Sequence, residues 1–556
     1  MRISKDKNLK MLEKYEYQRT LKENNAITLV ALIVTIIILL ILAGISISAI
    51  TNTGLFEKAK QAKQKSEEIQ EQEDAILGGY EEEINKYKTN RNDGIHADGS
   101  WNSSKNVNSP ELMNGMTGIY WDKDGKEVTV TADNQDNWYD YENQKWANAK
   151  TQDGSYWVWI PRYAYKIESG CYTSNAGKIK IKFLKETSNK DKDNNTINTT
   201  YPKVTADGTM QDYVVHPSFT NGSKTAEQIA NGAIPFGNGE WDKEITGYWV
   251  AKYAAGFQAS TTDANDATKV VNGSDTIVYS NRKYKQNEYT ANAIGQNPSS
   301  LPAMSYPVFK PLTYAYNCIS TGDAYTLSRE IAKASSFYGL NSSKTDSHQM
   351  KNSEWGAVAY LAQSSYGRDK TEITINSKNL NDNSKKIWAI TGYAGNTANG
   401  VDASTTNNMS GIFDLSGCVC EYIASYISNG NENISNYGGE YANTTANING
   451  YKTLSTKYVT VYPYNSSNDT YTNNYSTYLE KKSETYGFGD AILEISTSGA
   501  NNTTWNEQSS WFLKKDYTFF QRGGKFNSAY PGIFNFISYK GIAIWDGGFR
   551  SVLVTL

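Results

Sequence analysis

The run Ile27 to Ile50, ITLVALIVTIIILLILAGISISAI, contains no charged residue. At 1.5 Å of rise per residue, a helix of that length reaches ~36 Å, enough to cross a hydrocarbon core of ~30 Å. From Ile27 to Ala43 it is apolar on every face, so it does not read as an amphipathic core helix. A secretory signal peptide carries a shorter apolar stretch, ~7–15 residues, closed by a small-residue cleavage site. Ahead of the run, positions 1–26 hold seven Lys/Arg and four acidic side chains. Basic flanks stay cytoplasmic, so the pattern predicts a single-pass membrane anchor with the remaining chain outside.

The basic leader 1–26 and the following Ala26-Ile27-Thr28-Leu29-Val30-Ala31-Leu32 resemble the N-terminus of type IV prepilins and pseudopilins. The resemblance implies cleavage by a prepilin peptidase between Ala26 and Ile27, methylation of the new N-terminus, and contact with the pilus machinery. Two positions depart from the family: Ala26 replaces the usual Gly, and Ala31 replaces a Glu that helps subunits register in a filament. Residues 51–88 are rich in Ala, Glu, Gln and Lys, and predict a stalk helix interrupted at Gly78-Gly79. A solvated helix with no filament role is the alternative reading.

From residue 89 the composition changes. Asn, Asp, Gly and Ser mark a linker to about residue 100, and Trp121, Trp138 and Trp146 mark a small β-rich unit up to 150. The chain has 41 Tyr and 13 Trp, a density that disordered chains lack. Short β-type runs appear at 156–160, 247–253 and 458–462, and helix-like patches at 327–338, 353–363 and 419–427. Strands and helices do not alternate regularly, so the expected class is α+β: a long N-terminal transmembrane helix followed by a large head over 151–556 with Asn/Ser/Thr-rich insertions.

Motifs in the head resemble the formylglycine-generating-enzyme family. They are Trp157 with Ile160-Pro161, Glu354-Trp355 with Ala357, Gly411 to Gly417 with Asp414 followed by Val419 and Glu421-Tyr422, and the bracket Arg522-Gly523-Gly524 with Gly548-Phe549-Arg550. The resemblance implies a C-type-lectin variant over about 155–556. The same bracket closes the target proteins of diversity-generating retroelements, in which a C-terminal hypervariable segment binds ligands on a rigid scaffold. By that resemblance 522–550 is the variable-type segment, with Arg522, Gly523, Gly524, Gly548, Phe549 and Arg550 as its frame. Glycine suits close backbone approach, and arginine suits fork-like hydrogen bonds that fix loops.

Inside the bracket, Ile533, Phe534 and Phe536 read as core. Asn527, Ser528, Tyr530, Asn535, Ile537, Ser538, Tyr539, Ile542, Ile544, Trp545 and Asp546 read as a ligand-binding surface, a mixture of rigid aromatics and adaptable polar groups like that of antibody paratopes. The partner is then a protein or surface ligand. A minor pilin or pseudopilin with a purely structural head is the alternative.

Other chemistries are disfavoured. The family's oxidases hold copper on two cysteines within this bracket, and no cysteine follows Cys420 in this chain. Cys418-Val419-Cys420 reads as two small buried side chains. His96, His216 and His348 are too scattered for a histidine metal cluster. With 55 Lys+Arg against 58 Asp+Glu, the chain has no basic field for nucleic acid. The expectation is a binding protein with no enzyme activity, cofactor or metal.

Overall fold

The computed structural model describes residues 94–556 except 223–240, 258–269, 273–274, 278–305, 314, 318, 378, 382–386, 393–399, 440–446, 449–450, 453–456, 482–487 and 545. The described residues belong to one compact unit, Thr89–Leu556. The predicted leader, anchor and stalk, and with them Ala26 and Ile27, lie outside the described residues.

Eleven strands build the two sheets that matter here. They are β1 (Thr117–Trp121), β2 (Glu127–Thr129), β3 (Asn148–Lys150), β4 (Tyr156–Pro161), β5 (Gly247–Ala251), β6 (Thr345–Gln349), β7 (Cys420–Tyr422), β8 (Phe519–Gly523), β9 (Gly532–Tyr539), β10 (Gly547–Phe549) and β11 (Ser551–Thr555). The larger sheet runs β6-β11-β5-β4-β3-β1-β2, antiparallel throughout. The smaller runs β9-β8-β7-β10, antiparallel except for the parallel β7–β10 pair.

Sequence explains the centre of the larger sheet. β4 reads YWVWIP, and its Trp157 through Pro161 are buried, as befits an aromatic and β-branched strand covered on both faces. Trp159 lies opposite Trp249 of β5, with ring centroids 5.3 Å apart. The C-terminal strand β11 inserts between β5 and β6, pairing Leu553 with Trp249 and Val552 with His348. β1, β2 and β3 join this same sheet, so the tryptophan-marked stretch before residue 150 is continuous with the head's core.

Five α-helices occur among the described residues: α1 (Thr321–Glu330), α2 (Ser335–Tyr338), α3 (Asn352–Gln363), α4 (Glu432–Tyr437) and α5 (Tyr471–Lys481). α3 is entirely buried, and its N-terminus is closed by Glu354, whose carboxylate accepts the Lys351 amide at 2.9 Å.

The α+β expectation led by a long transmembrane helix is corrected. The described residues are mostly sheet, and none of their helices is long and apolar enough to cross a membrane. The apolar content of this part is spent in short aromatic and β-branched strands, and the longest of its helices, α3, has 12 residues. The helix-like patch 419–427 is likewise corrected: it forms β7 and a further strand, Ser425–Ile427. Its Val, Tyr and Ile residues fill a sheet interior, and that environment overrides a pattern that fits either period over so few residues.

Candidate binding face

The segment 522–550 leaves the smaller sheet at β8, returns as β9, and re-enters at β10. Arginines hold both ends. Arg522 is fully buried and donates to carbonyl oxygens of Ala491 at 3.0 Å, Asp490 at 3.3 Å and Ile533 at 3.5 Å, and to Asn352 Oδ1 at 3.4 Å. Burial pushes its pKa down to about 10 against the opposing field of Asp490. Gly523 and Gly524 follow at φ +80° and +74°, a left-handed turn that an L side chain resists. A Cβ on Gly524 would also come within 3.0 Å of Pro531 Cα.

Arg550 fills the single position between β10 of the smaller sheet and β11 of the larger. It makes a two-point pair with Glu421 of β7, Nε to Oε2 at 3.0 Å and Nη2 to Oε1 at 2.6 Å. Its remaining donors reach the carbonyl oxygens of Ala251 at 2.6 Å and Phe413 at 2.8 Å. Gly548 lies so close to Val419 that a Cβ would stand 2.6 Å from its Cγ2, and Phe549 is buried. The frame residues therefore act through burial and hydrogen bonding.

Further ties fix the segment between its ends. Trp355 of α3 donates its indole N–H to the Ile533 carbonyl at 2.7 Å, at the start of β9. Tyr422 donates its hydroxyl to the Ile542 carbonyl at 2.7 Å, and the Thr321 amide at the start of α1 donates to Gly541 at 3.0 Å. Lys525 and Asp546 form an ion pair at 2.7 Å that brings the first and last loops of the segment together.

The predicted surface residues divide. Asn527 is exposed and Tyr530 is 48% exposed. Ser528, Ile537, Tyr539, Ile542, Ile544 and Asp546 are half-buried, and Trp545 lies outside the described residues. Asn535 and Ser538 are buried, at 2% and 8%, which removes them from the surface. They share the burial of β9, where six of the eight positions are buried. Its outer edge is occupied by residues 509–511, with the Phe536 amide donating to Ser509 and the Trp511 amide to Phe536. Asn535 then turns inward and donates to the Tyr530 carbonyl at 2.9 Å.

Tyr530, Ala529 and Pro531 form one wall of an open cleft of ≈ 330 Å³. Glu372 to Ile375, Ser416, Asn506 and Gln508 form the rest. Gln508 joins the walls: its amide nitrogen donates to Glu372 at 3.0 Å, and its oxygen accepts the Phe534 amide at 2.8 Å. Sequence reading missed this opposite wall. Glu372 to Ile375 alternates like a half-exposed strand, and Asn506 and Glu507 sit in a tight turn at φ 59° and 55°. Neither signal marks a ligand site.

Tyr530 supplies a rigid amphipathic ring, and the facing amides, hydroxyls and the Glu372 carboxylate supply hydrogen-bonding partners. That mixture suits non-covalent recognition. Cys418 and Cys420 are buried beneath the face, and burial raises both thiols above their ordinary pKa, the reverse of what a thiolate ligand needs. Among the described residues, no group of three or more His, Cys, Asp or Glu is placed to hold a metal ion. No family model matches the sequence, and no curated protein is significantly similar to it.

Proposed function

We propose that this chain is a surface display protein whose C-terminal face binds a protein or other surface ligand without making or breaking a bond in it. The observation that carries the reading is Tyr530, half-exposed on the wall of the ≈ 330 Å³ cleft, on a segment whose two ends are anchored by buried arginines. A rigid frame with an exposed aromatic limits the entropy lost on binding. The retroelement-target bracket supports diversification of 522–550, and the uncharged run 27–50 with its basic leader supports attachment to a bacterial membrane, the head outside.

Panning a phage-displayed random-peptide library on the immobilised chain and on its Tyr530→Ala variant tests the binding face. Wild type should enrich a peptide family that the variant does not. Equal enrichment on both, or none on either, rejects the face and favours a structural, minor-pilin-like head. Sequencing the DNA beside the gene tests diversification. The expected finding is a reverse-transcriptase gene and a near-copy of codons 520–550 that differs mainly at adenines.

A further inference from the structure

Lys252 directly follows β5 and is withdrawn from solvent. The oxygens around its Nζ are uncharged: Asn148 Oδ1 at 2.9 Å, the Gly411 carbonyl at 2.7 Å and the Met409 carbonyl at 2.5 Å. The rings of Trp121 and Phe413 wall the nitrogen at 4.6 and 5.3 Å. Glu127 acts on it through its field, while its carboxylate is bound to Lys150 at 2.9 Å and to the Tyr156 hydroxyl at 2.7 Å. A buried ammonium with no bound carboxylate is driven toward the neutral amine, and burial accordingly lowers this lysine's pKa well below its ordinary value.

Asn148, on β3, is equally enclosed. Its amide nitrogen donates to the Trp146 carbonyl at 2.9 Å and the Ser410 carbonyl at 2.7 Å, so the carboxamide is locked with its oxygen toward Lys252. A tetrahedral amine has three directions besides its own chain. Two of them are taken by the Met409 and Gly411 carbonyls, which hold N–H bonds. The third donates to Oδ1 of Asn148, and loss of that proton leaves the lone pair on the side of the carboxamide, whose Cγ is one bond beyond that oxygen.

We propose that Lys252 and Asn148 join in an intramolecular isopeptide bond. Nζ of the neutral amine attacks Cγ of Asn148 and forms the new C–N bond. The Cγ–Nδ2 bond breaks, and Nδ2 leaves as ammonia, carrying a proton from Nζ. The product is a secondary amide whose remaining N–H stays on one of the two backbone carbonyls, and no oxidant or cofactor is consumed. The bond links residues 104 apart in sequence and ties β3 to the end of β5 across the intervening β4. Closing so long a loop restricts the unfolded chain as a disulfide would.

Peptide mapping by mass spectrometry of the purified full chain decides the matter. The expected result is a branched peptide joining the 148 and 252 segments, lighter by one ammonia than the two linear peptides together, and absent from Lys252→Ala and Asn148→Ala. Two intact linear peptides in the wild type overturn the proposal without reliance on any variant. So does an ammonia loss at Asn148 that survives Lys252→Ala, because that loss would come from the asparagine closing on its own backbone.

Discussion

Arg550 meets Glu421 in a fully buried two-point pair, with both carboxylate oxygens engaged at 3.0 and 2.6 Å. Glu421 belongs to β7 of the smaller sheet, while Arg550 is the step from that sheet to β11 of the larger. The pair therefore fixes how the bracketed segment ends and how the two sheets meet. Burial lifts the Glu421 carboxyl above its ordinary pKa even with the guanidinium beside it, so the pair carries a large desolvation cost that only intact geometry offsets.

Breaking that pair should be severe. Glu421→Gln leaves a buried guanidinium without its counter-charge, and a loss of ~3–5 kcal/mol is expected. Arg550→Lys keeps the charge but cannot reproduce four directed contacts, and should also destabilise the head strongly. Urea unfolding of each single variant and of the double variant measures this. The double variant should lose clearly less than the sum of the singles, and full additivity would show that the two residues do not act as a unit.

Glu494 gives the core a pH dependence of defined sign. Its carboxylate accepts from the Tyr165 hydroxyl at 2.6 Å, the Tyr360 hydroxyl at 2.5 Å and the Gly489 amide at 2.7 Å, with Asp490 adjacent. Burial raises it from 4.5 to about 7. Between those values the folded state holds a proton that the unfolded chain has released. Its contribution is therefore fully present below pH 4.5 and is lost as pH rises through about 7. Neighbouring His216, lowered by burial from 6.5 to about 3, adds its own pH dependence between those values, but wild type and variant share it, so it cancels in their difference. The difference in unfolding free energy between wild type and Glu494→Gln should accordingly change between pH 4.5 and about 7 and be flat above it. A constant difference across the window would refute the assignment.

Trp355 links a sequence motif to the candidate face. Its indole N–H holds the Ile533 carbonyl at 2.7 Å, and its ring lies 5.5 Å from the Arg522 guanidinium carbon. Trp355→Phe keeps most of the buried area but leaves that carbonyl without this donor, at an expected cost of ~1–3 kcal/mol. Hydrogen exchange should report faster opening at 532–536, with the larger sheet unchanged. Equal loss of protection in both sheets would mean that Trp355 supports the whole core and has no particular role in positioning β9.

Legibility in the sequence followed the range of the interactions. β4 and β5 could be found because Trp157, Trp159 and Trp249 mark short buried strands. Arg522 and Arg550 stand out only through the resemblance of Arg522-Gly523-Gly524 and Gly548-Phe549-Arg550 to the bracket of retroelement-target proteins. Their partners could not be read: Glu421 lies 129 positions from Arg550, and nothing local ties the two. The 419–427 patch misled because its apolar residues fit a helix until β8 and β10 are known to flank β7. Asn535 and Ser538 looked like paratope residues because composition cannot reveal that the strand carrying them, β9, is buried at six of its eight positions. The cleft's second wall, drawn from 372–375, 416, 506 and 508, is assembled entirely by tertiary structure.

If 522–550 is a segment built to vary, its tolerance should follow exposure and not sequence position. Asn527, Ala529 and Tyr530 are exposed, so substitutions there should change stability by no more than about 0.5 kcal/mol. Tyr530 should nevertheless govern peptide enrichment, since it contributes a wall of the cleft. Asn535 is buried and holds the Tyr530 carbonyl at 2.9 Å, so Asn535→Ala should cost ~1–2 kcal/mol and loosen the loop that presents Tyr530. A deep substitution scan over 525–546, read out separately for folding by protease resistance and for peptide binding, checks this. The expected map has positions 527, 529 and 530 free for folding and position 535 restricted, with binding loss centred on Tyr530. A scan in which 527–530 prove as restrictive for folding as Phe534 and Phe536 would show that the loop is part of the core, and the case for a variable face would go with it.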